Sequence, residues 1–152
     1  MSTHVASSES PQPHCDLMDR PQEVTRAFAG ALSAAELDRA ISLFADDGCF
    51  VTPDATTVHG HHGVRTILAQ LIVSHAQLRV APKSVHIAGN IALCSERWAF
   101  TYACKEVSPF TQASDSTVLL RRSDRAWKLL FVAPWHIVDA DRYPFASMPR
   151  TR

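Results

Sequence analysis

The chain has 152 residues, of which 46% are hydrophobic and 20% charged, and its 15 Lys plus Arg balance 15 Asp plus Glu to a formal net charge of zero. That length suits one domain with enough apolar material for a core and a small lined cavity. A neutral chain without a basic stripe is not expected to bind nucleic acid, and no apolar run is long enough for a bilayer span.

The segment Met1–Pro13 is rich in Ser, Pro and His and lacks the apolar stretch of a signal peptide. With Ser7, Ser8, Ser10, Pro11 and Pro13 in it, residues 1–20 read as a flexible tail. Cys15, Cys49, Cys94 and Cys104 share no Cys-x-x-Cys spacing, which points to reduced thiols in a cytoplasmic protein. Pro21 suits the first turn of a helix, and Val24, Phe28, Ala31 and Leu32 then fall on one face of Glu23–Leu32. Ser33 with Glu36 forms a capping box for a second helix, which carries Leu37, Ile41 and Phe44 and stops at Asp46-Asp47-Gly48.

A short strand, Cys49–Thr52, ends at Pro53, and a loop from Asp54 to Gly63 leads into a third helix, Val64–Ser74, with Val64, Ile67, Leu68, Leu71 and Ile72. From there the period changes. Leu78–Ala88, Ile91–Cys104, Ser116–Arg122 and Trp127–Trp135 read as strands, with turns at Gly89-Asn90 and Ser123-Asp124-Arg125. Gly-Asn is a two-residue hairpin signal, so the second and third strands should pair antiparallel. Helices first and strands later predict an α+β domain. Its expected limits are 21–138, followed by an irregular extension, 139–152, whose Tyr143, Phe145 and Met148 can dock over a pocket mouth or stay loose.

Ala31-Leu32, Leu37-Asp38, Leu43-Phe44-Ala45-Asp46-Asp47, Val58-x-Gly60-x-x-Gly63-Val64, Glu96-Arg97-Trp98 and Trp127-Lys128-Leu129-Leu130 occur in one order. In that order and spacing the stretch Val24–Trp135 resembles the nuclear transport factor 2-like superfamily, which includes ketosteroid isomerase, SnoaL-like polyketide cyclases and limonene epoxide hydrolase. The resemblance implies a cone: a curved antiparallel sheet wrapped around three helices, with one pocket open at the wide end. It does not imply one chemistry, because the cone hosts many activities.

The isomerase pattern needs a carboxylate base and an oxyanion hole made by a tyrosine and a protonated aspartate. The base position falls on Thr52 and the tyrosine on Phe28, while Val118–Leu120 supplies no acid. Asp54 can replace the base only if the strand runs on past Pro53. The epoxide hydrolase relay keeps its arginine, Arg97, but Ala99 stands in place of the neighbouring aspartate. A faithful copy of either mechanism is therefore not expected. In the register the resemblance implies, Arg97 points into the cavity with Ser95, Ala99 and Thr101, to meet an anionic or carbonyl ligand; the alternative is a solvated Arg97 at the mouth. Glu96, Trp98, Phe100 and Tyr102 then face outward and imply a homodimer through the sheet, whereas plain amphipathicity would turn that stripe inward.

His59, His61 and His62 fall in a glycine-bounded turn, and we expect no metal there. His136, after Trp135, is either a proton-transfer group at the pocket mouth or an exposed strand-end residue. Nothing resembling a phosphate loop or dinucleotide motif occurs, so no cofactor is expected. The sequence thus leads to a small cofactor-independent enzyme of the SnoaL-like type, acting on an apolar oxygenated, polyketide-like compound by cyclisation, isomerisation or dehydration. Arg97, Asp54 and His136 are its candidate catalytic residues, and Phe28, Phe50, Thr52, His59, Thr101 and Val132 its candidate substrate contacts. The alternative is a dimeric module that binds a small apolar ligand without changing it.

Overall fold

The protein is described from a computed structural model over residues 19–52, 55–102 and 110–134. Asp54, His136, most of the N-terminal tail, the C-terminal extension, Cys15 and Cys104 lie outside the described residues.

Helix α1, Pro21–Ser33, starts on Pro21 and buries Val24, Thr25, Phe28, Ala31 and Leu32. Ser33 does not cap the second helix. It closes α1, and its hydroxyl accepts from Leu78 N at 2.9 Å and donates to Leu78 O at 3.3 Å, tying α1 to a strand. A hydroxyl satisfied by that strand is not free to cap another helix, and α2, Leu37–Ser42, begins from Glu36 without a side-chain cap. Ala35, at φ 59°, makes the turn between the two helices.

Strand β1 covers Phe44–Val51, five residues earlier than the sequence suggests, so Asp46-Asp47-Gly48 lies within a strand and not at a helix end. The stretch is irregular, with a register shift between Phe44 and Cys49 against the last strand. Gly48 permits it: a Cβ there would stand 2.9 Å from both Ala45 O and Leu129 O. The short β2, Thr57–His59, pairs antiparallel with β1 and leads directly into α3, Gly60–Val73, which buries Val64 and Leu68.

Four long strands follow: β3, Gln77–Ala88; β4, Ile91–Tyr102; β5, Phe110–Ser123; and β6, Ala126–Ala133. With β1 and β2 they form one six-stranded sheet in the order β2-β1-β6-β5-β4-β3. The expected hairpin at Gly89-Asn90 is present, with Ala88 opposite Ile91. The sheet is mixed and not wholly antiparallel, because β1 and β6 run parallel. The three helices among the described residues lie before the four long strands, and the core is the space between these helices and the sheet's inner face. Phe28, Phe44, Phe50, Leu68, Trp98, Phe100, Leu120, Leu129 and Val132 fill it. No described helix is long and apolar enough to cross a membrane.

Candidate functional site

Side chains alternate across a strand, so the register of β4 decides which chemistry faces the core. The structure turns Ala92, Cys94, Glu96, Trp98 and Phe100 inward, all buried, and leaves Arg97 outside. This reverses the register that the family resemblance implies. Trp98 and Phe100 are 0% exposed, with Trp98 packed 5.8 Å from Phe28 and 6.2 Å from Phe100 between ring centroids. Trp98 and Phe100 thus face the core and not outward, which corrects the direction expected for that stripe. The physical reason is simple: burying a large apolar side chain contributes about 1.5–3 kcal/mol. A guanidinium turned into the same space would lose its water without a partner.

On the outer face Arg97 Nη1 lies 3.4 Å from Asp115 Oδ1, and its side chain is 54% exposed. Asp115 also accepts from Lys83 Nζ at 2.6 Å, and that bond, then the two nearby cations, hold its carboxyl below the usual range. Arg97 is thus a surface residue of an ion cluster, not a cavity residue. Thr101 shares this outer face, with its Oγ1 2.9 Å from Thr111 Oγ1. His59 is also outside: its Nδ1 lies 3.1 Å from the Cys49 Sγ opposite it on β1. His61 Nε2 is 3.0 Å from Phe44 O and 3.7 Å from Asp46 Oδ1 at the start of α3. Among the described residues no group of three His, Cys, Asp or Glu is arranged to hold a metal.

Phe28, Phe50 and Val132 do meet in the core, each fully buried. Thr52 is buried at the end of β1, where its hydroxyl donates to Thr56 O at 3.0 Å.

The polar groups that face inward are ones the motif comparison passes over. Glu96 is 1% exposed, and its Oε2 lies 2.7 Å from Thr25 Oγ1 on α1. Thr25 Oγ1 is also 2.9 Å from Gln22 O. Thr25 Oγ1 donates to Glu96 Oε2 and also lies within reach of Gln22 O, so it ties β4 to α1. Burial pushes the Glu96 carboxyl above its ordinary range; the bonds to Thr25 and Trp98 and the charge of Arg26 only partly oppose it. Cys94, two residues away on the same face, is pushed to about 12, mainly by burial and then by Glu96.

Beside Glu96 runs a polar row on β5. Ser116 stands opposite Glu96, Ser114 opposite Trp98 and Gln112 opposite Phe100. The hydroxyls of Ser114 and Ser116 both donate to Pro134 O, the latter at 2.9 Å, which fixes the end of β6 against the inner face of β5. Three buried polar atoms have no hydrogen-bond partner among the described residues: Glu96 Oε1, Trp98 Nε1 and Gln112 Oε1. Trp98 acts on the Glu96 carboxyl, but neither atom closes a bond of good geometry. Each such orphan costs about 1–3 kcal/mol. The signal for Glu96 was present in the alternation Cys94, Glu96, Trp98, Phe100, which puts one acid in an apolar row.

The family model of the SnoaL-like domain matches residues 24–140. The chain belongs to the SnoaL-like family. Solved structures agree on the nuclear transport factor 2-like fold. A ketosteroid isomerase-like protein from Erwinia carotovora atroseptica is similar at TM-score 0.65 and 16% identity, over 80% of this chain and 95% of that one. A nuclear transport factor 2-like protein with a cystatin-like fold from Novosphingobium aromaticivorans is similar at TM-score 0.63 and 13% identity, over 73% and 75%. A protein from Mycobacterium tuberculosis reaches TM-score 0.68 at 13% identity, over 84% and 78%. Comparison with curated proteins gives no match. At these identities the likeness carries the fold, and the chemistry of this SnoaL-like domain has to be read from its own interior.

Proposed function

We propose that this SnoaL-like protein is a cofactor-independent enzyme that acts on an apolar, oxygenated, polyketide-like compound by cyclisation, isomerisation or dehydration, with Glu96 as the group that carries the proton. The observation behind this reading is the one buried acid among the described residues, Glu96, raised in its affinity for a proton by burial and set beside Trp98 in an apolar interior. A carboxyl whose affinity for its proton is raised by burial is suited to give that proton to a substrate oxygen near neutral pH. Asp54 and His136, outside the described residues, stay in the proposal as second proton-transfer groups. Arg97 does not, since it faces away.

The test is to incubate the pure protein with a panel of polyketide-like and steroid-like compounds and to read them by chromatography with mass spectrometry. A compound returned in altered form is expected, with turnover reduced about 100-fold or more in Glu96→Gln, which keeps the shape and removes the acid. Full turnover in that variant would remove Glu96 from the mechanism. A second reading, a binding module, is favoured by the fate of the other inward hydroxyls: Ser114 and Ser116 are both committed to Pro134 O. A compound retained by the protein and released unchanged would establish that reading instead.

A further inference from the structure

With Trp98 and Phe100 turned into the core, a different set of side chains is left on the outer face of the sheet. Strand pairing lines up one residue from each of the six strands there: His59 on β2, Cys49 on β1, Phe131 on β6, Leu119 on β5, Leu93 on β4 and His86 on β3. Residues opposite one another in a ladder point to the same side, so these six form one row across the sheet. Leu93 is 41% exposed, and Cys49, Leu119 and Phe131 are half-buried. The outer face of a half-covered sheet ordinarily carries polar side chains, whereas this row is apolar in its middle. The described helices pack on the inner face and leave it uncovered. Charged groups stand to either side of the row and are paired within the chain: Lys83 and Arg97 share Asp115 on one side, and Arg121 holds Asp47 on the other. An apolar centre inside a charged rim is the anatomy of a protein–protein interface.

We propose that this outer face pairs with a second copy of the chain about a two-fold axis, row upon row. The row reads alike from both ends, with a histidine at each end and apolar side chains within. A two-fold that reverses it therefore sets Phe131 against the partner's Leu119 and Cys49 against the partner's Leu93, apolar upon apolar, and closes the assembly at two copies. The size also fits. With strands about 4.8 Å apart and residues rising about 3.3 Å each, the five longer strands present roughly 850 Å², against about 800 Å² given by each partner of a stable interface.

Sedimentation of the full chain over a range of concentrations should show a dimer that dissociates on dilution. Leu93→Asp puts a charge into the row at an exposed position and should give a monomer with an unchanged circular dichroism spectrum. Val73→Asp, at a 77% exposed position on α3 and off the outer face, should stay dimeric. Without any variant, N-ethylmaleimide should modify Cys49 about ten-fold more slowly in concentrated wild type than in the dilute, dissociated protein, as read by peptide mass. A chain that is monomeric at every concentration, whether free in solution or held on phosphatidylserine vesicles, would overturn the proposal. So would a Leu93→Asp variant that stays dimeric, or a Cys49 modified equally fast at both concentrations. Dissociation of Val73→Asp would put the contact on α3 and overturn it as well.

Discussion

Glu96 shows how a single proton organises the interior. Folding holds that proton more tightly than the unfolded chain does, because burial penalises the charged form. Its contribution to stability is therefore fully present below the ordinary carboxyl value of 4.5 and is lost as pH rises through the raised folded value. Asp47 and Asp115 are shifted down, mainly by their bonds to Arg121 and Lys83, and act in the opposite direction. Comparison of wild type with Glu96→Gln cancels those shared terms. The variant, which cannot ionise, should lose less stability between pH 4.5 and neutral pH than wild type, as read by chemical denaturation at several pH values. A wild type that instead gained stability relative to the variant over that range would mean that Glu96 is ionised in the fold. Arg97 is the contrast. As a half-exposed partner in a surface cluster, its replacement by Ala should change stability by at most about 1 kcal/mol and leave ligand binding and turnover intact.

At the level of elements, β4 and β1 each depend on one residue more than on their propensity. Trp98 joins β4 to α1 through Phe28, and its ring is enclosed on all sides. Trp98→Ala should destabilise the fold by about 3–5 kcal/mol without affecting how many copies associate, measured by denaturant unfolding and sedimentation. Gly48 allows β1 to shift register against β6, with two backbone carbonyls 2.9 Å from where a Cβ would stand. Since those atoms are backbone and cannot rotate away, Gly48→Ala should cost about 1–3 kcal/mol. The extent of β1 was only half legible for the same reason. Asp46-Asp47-Gly48 reads as a helix stop because acids and glycine interrupt an apolar pattern. In the fold Asp47 points outward to bond Arg121 of β5, and Asp46 is exposed, so the strand tolerates both.

At the scale of the molecule, the three described helices set against a mixed sheet make an interior whose polar content, among the described residues, is small and concentrated on β4 and β5. That concentration is why the substrate panel, read with Glu96→Gln, bears on one place and not on several. The order of the three helices and the four long strands, the hairpin at Gly89-Asn90 and the buried face of α1 with Phe28 were determined by the sequence alone, whereas β2 lies where the sequence suggests a loop. The first three follow from local periodicity and turn chemistry, which need no knowledge of what packs against them. The direction of β4 was decided only in the tertiary structure. Its residues alternate between a charged and an aromatic set, and a slip of one residue exchanges them completely. What settles the choice is α1 on one side, offering Phe28 and Thr25 to Trp98 and Glu96, and Asp115 on the other, offering a carboxylate to Arg97. Those partners lie 70, 71 and 18 positions away in the chain for Trp98, Glu96 and Arg97 respectively, so no reading of β4 by itself supplies them.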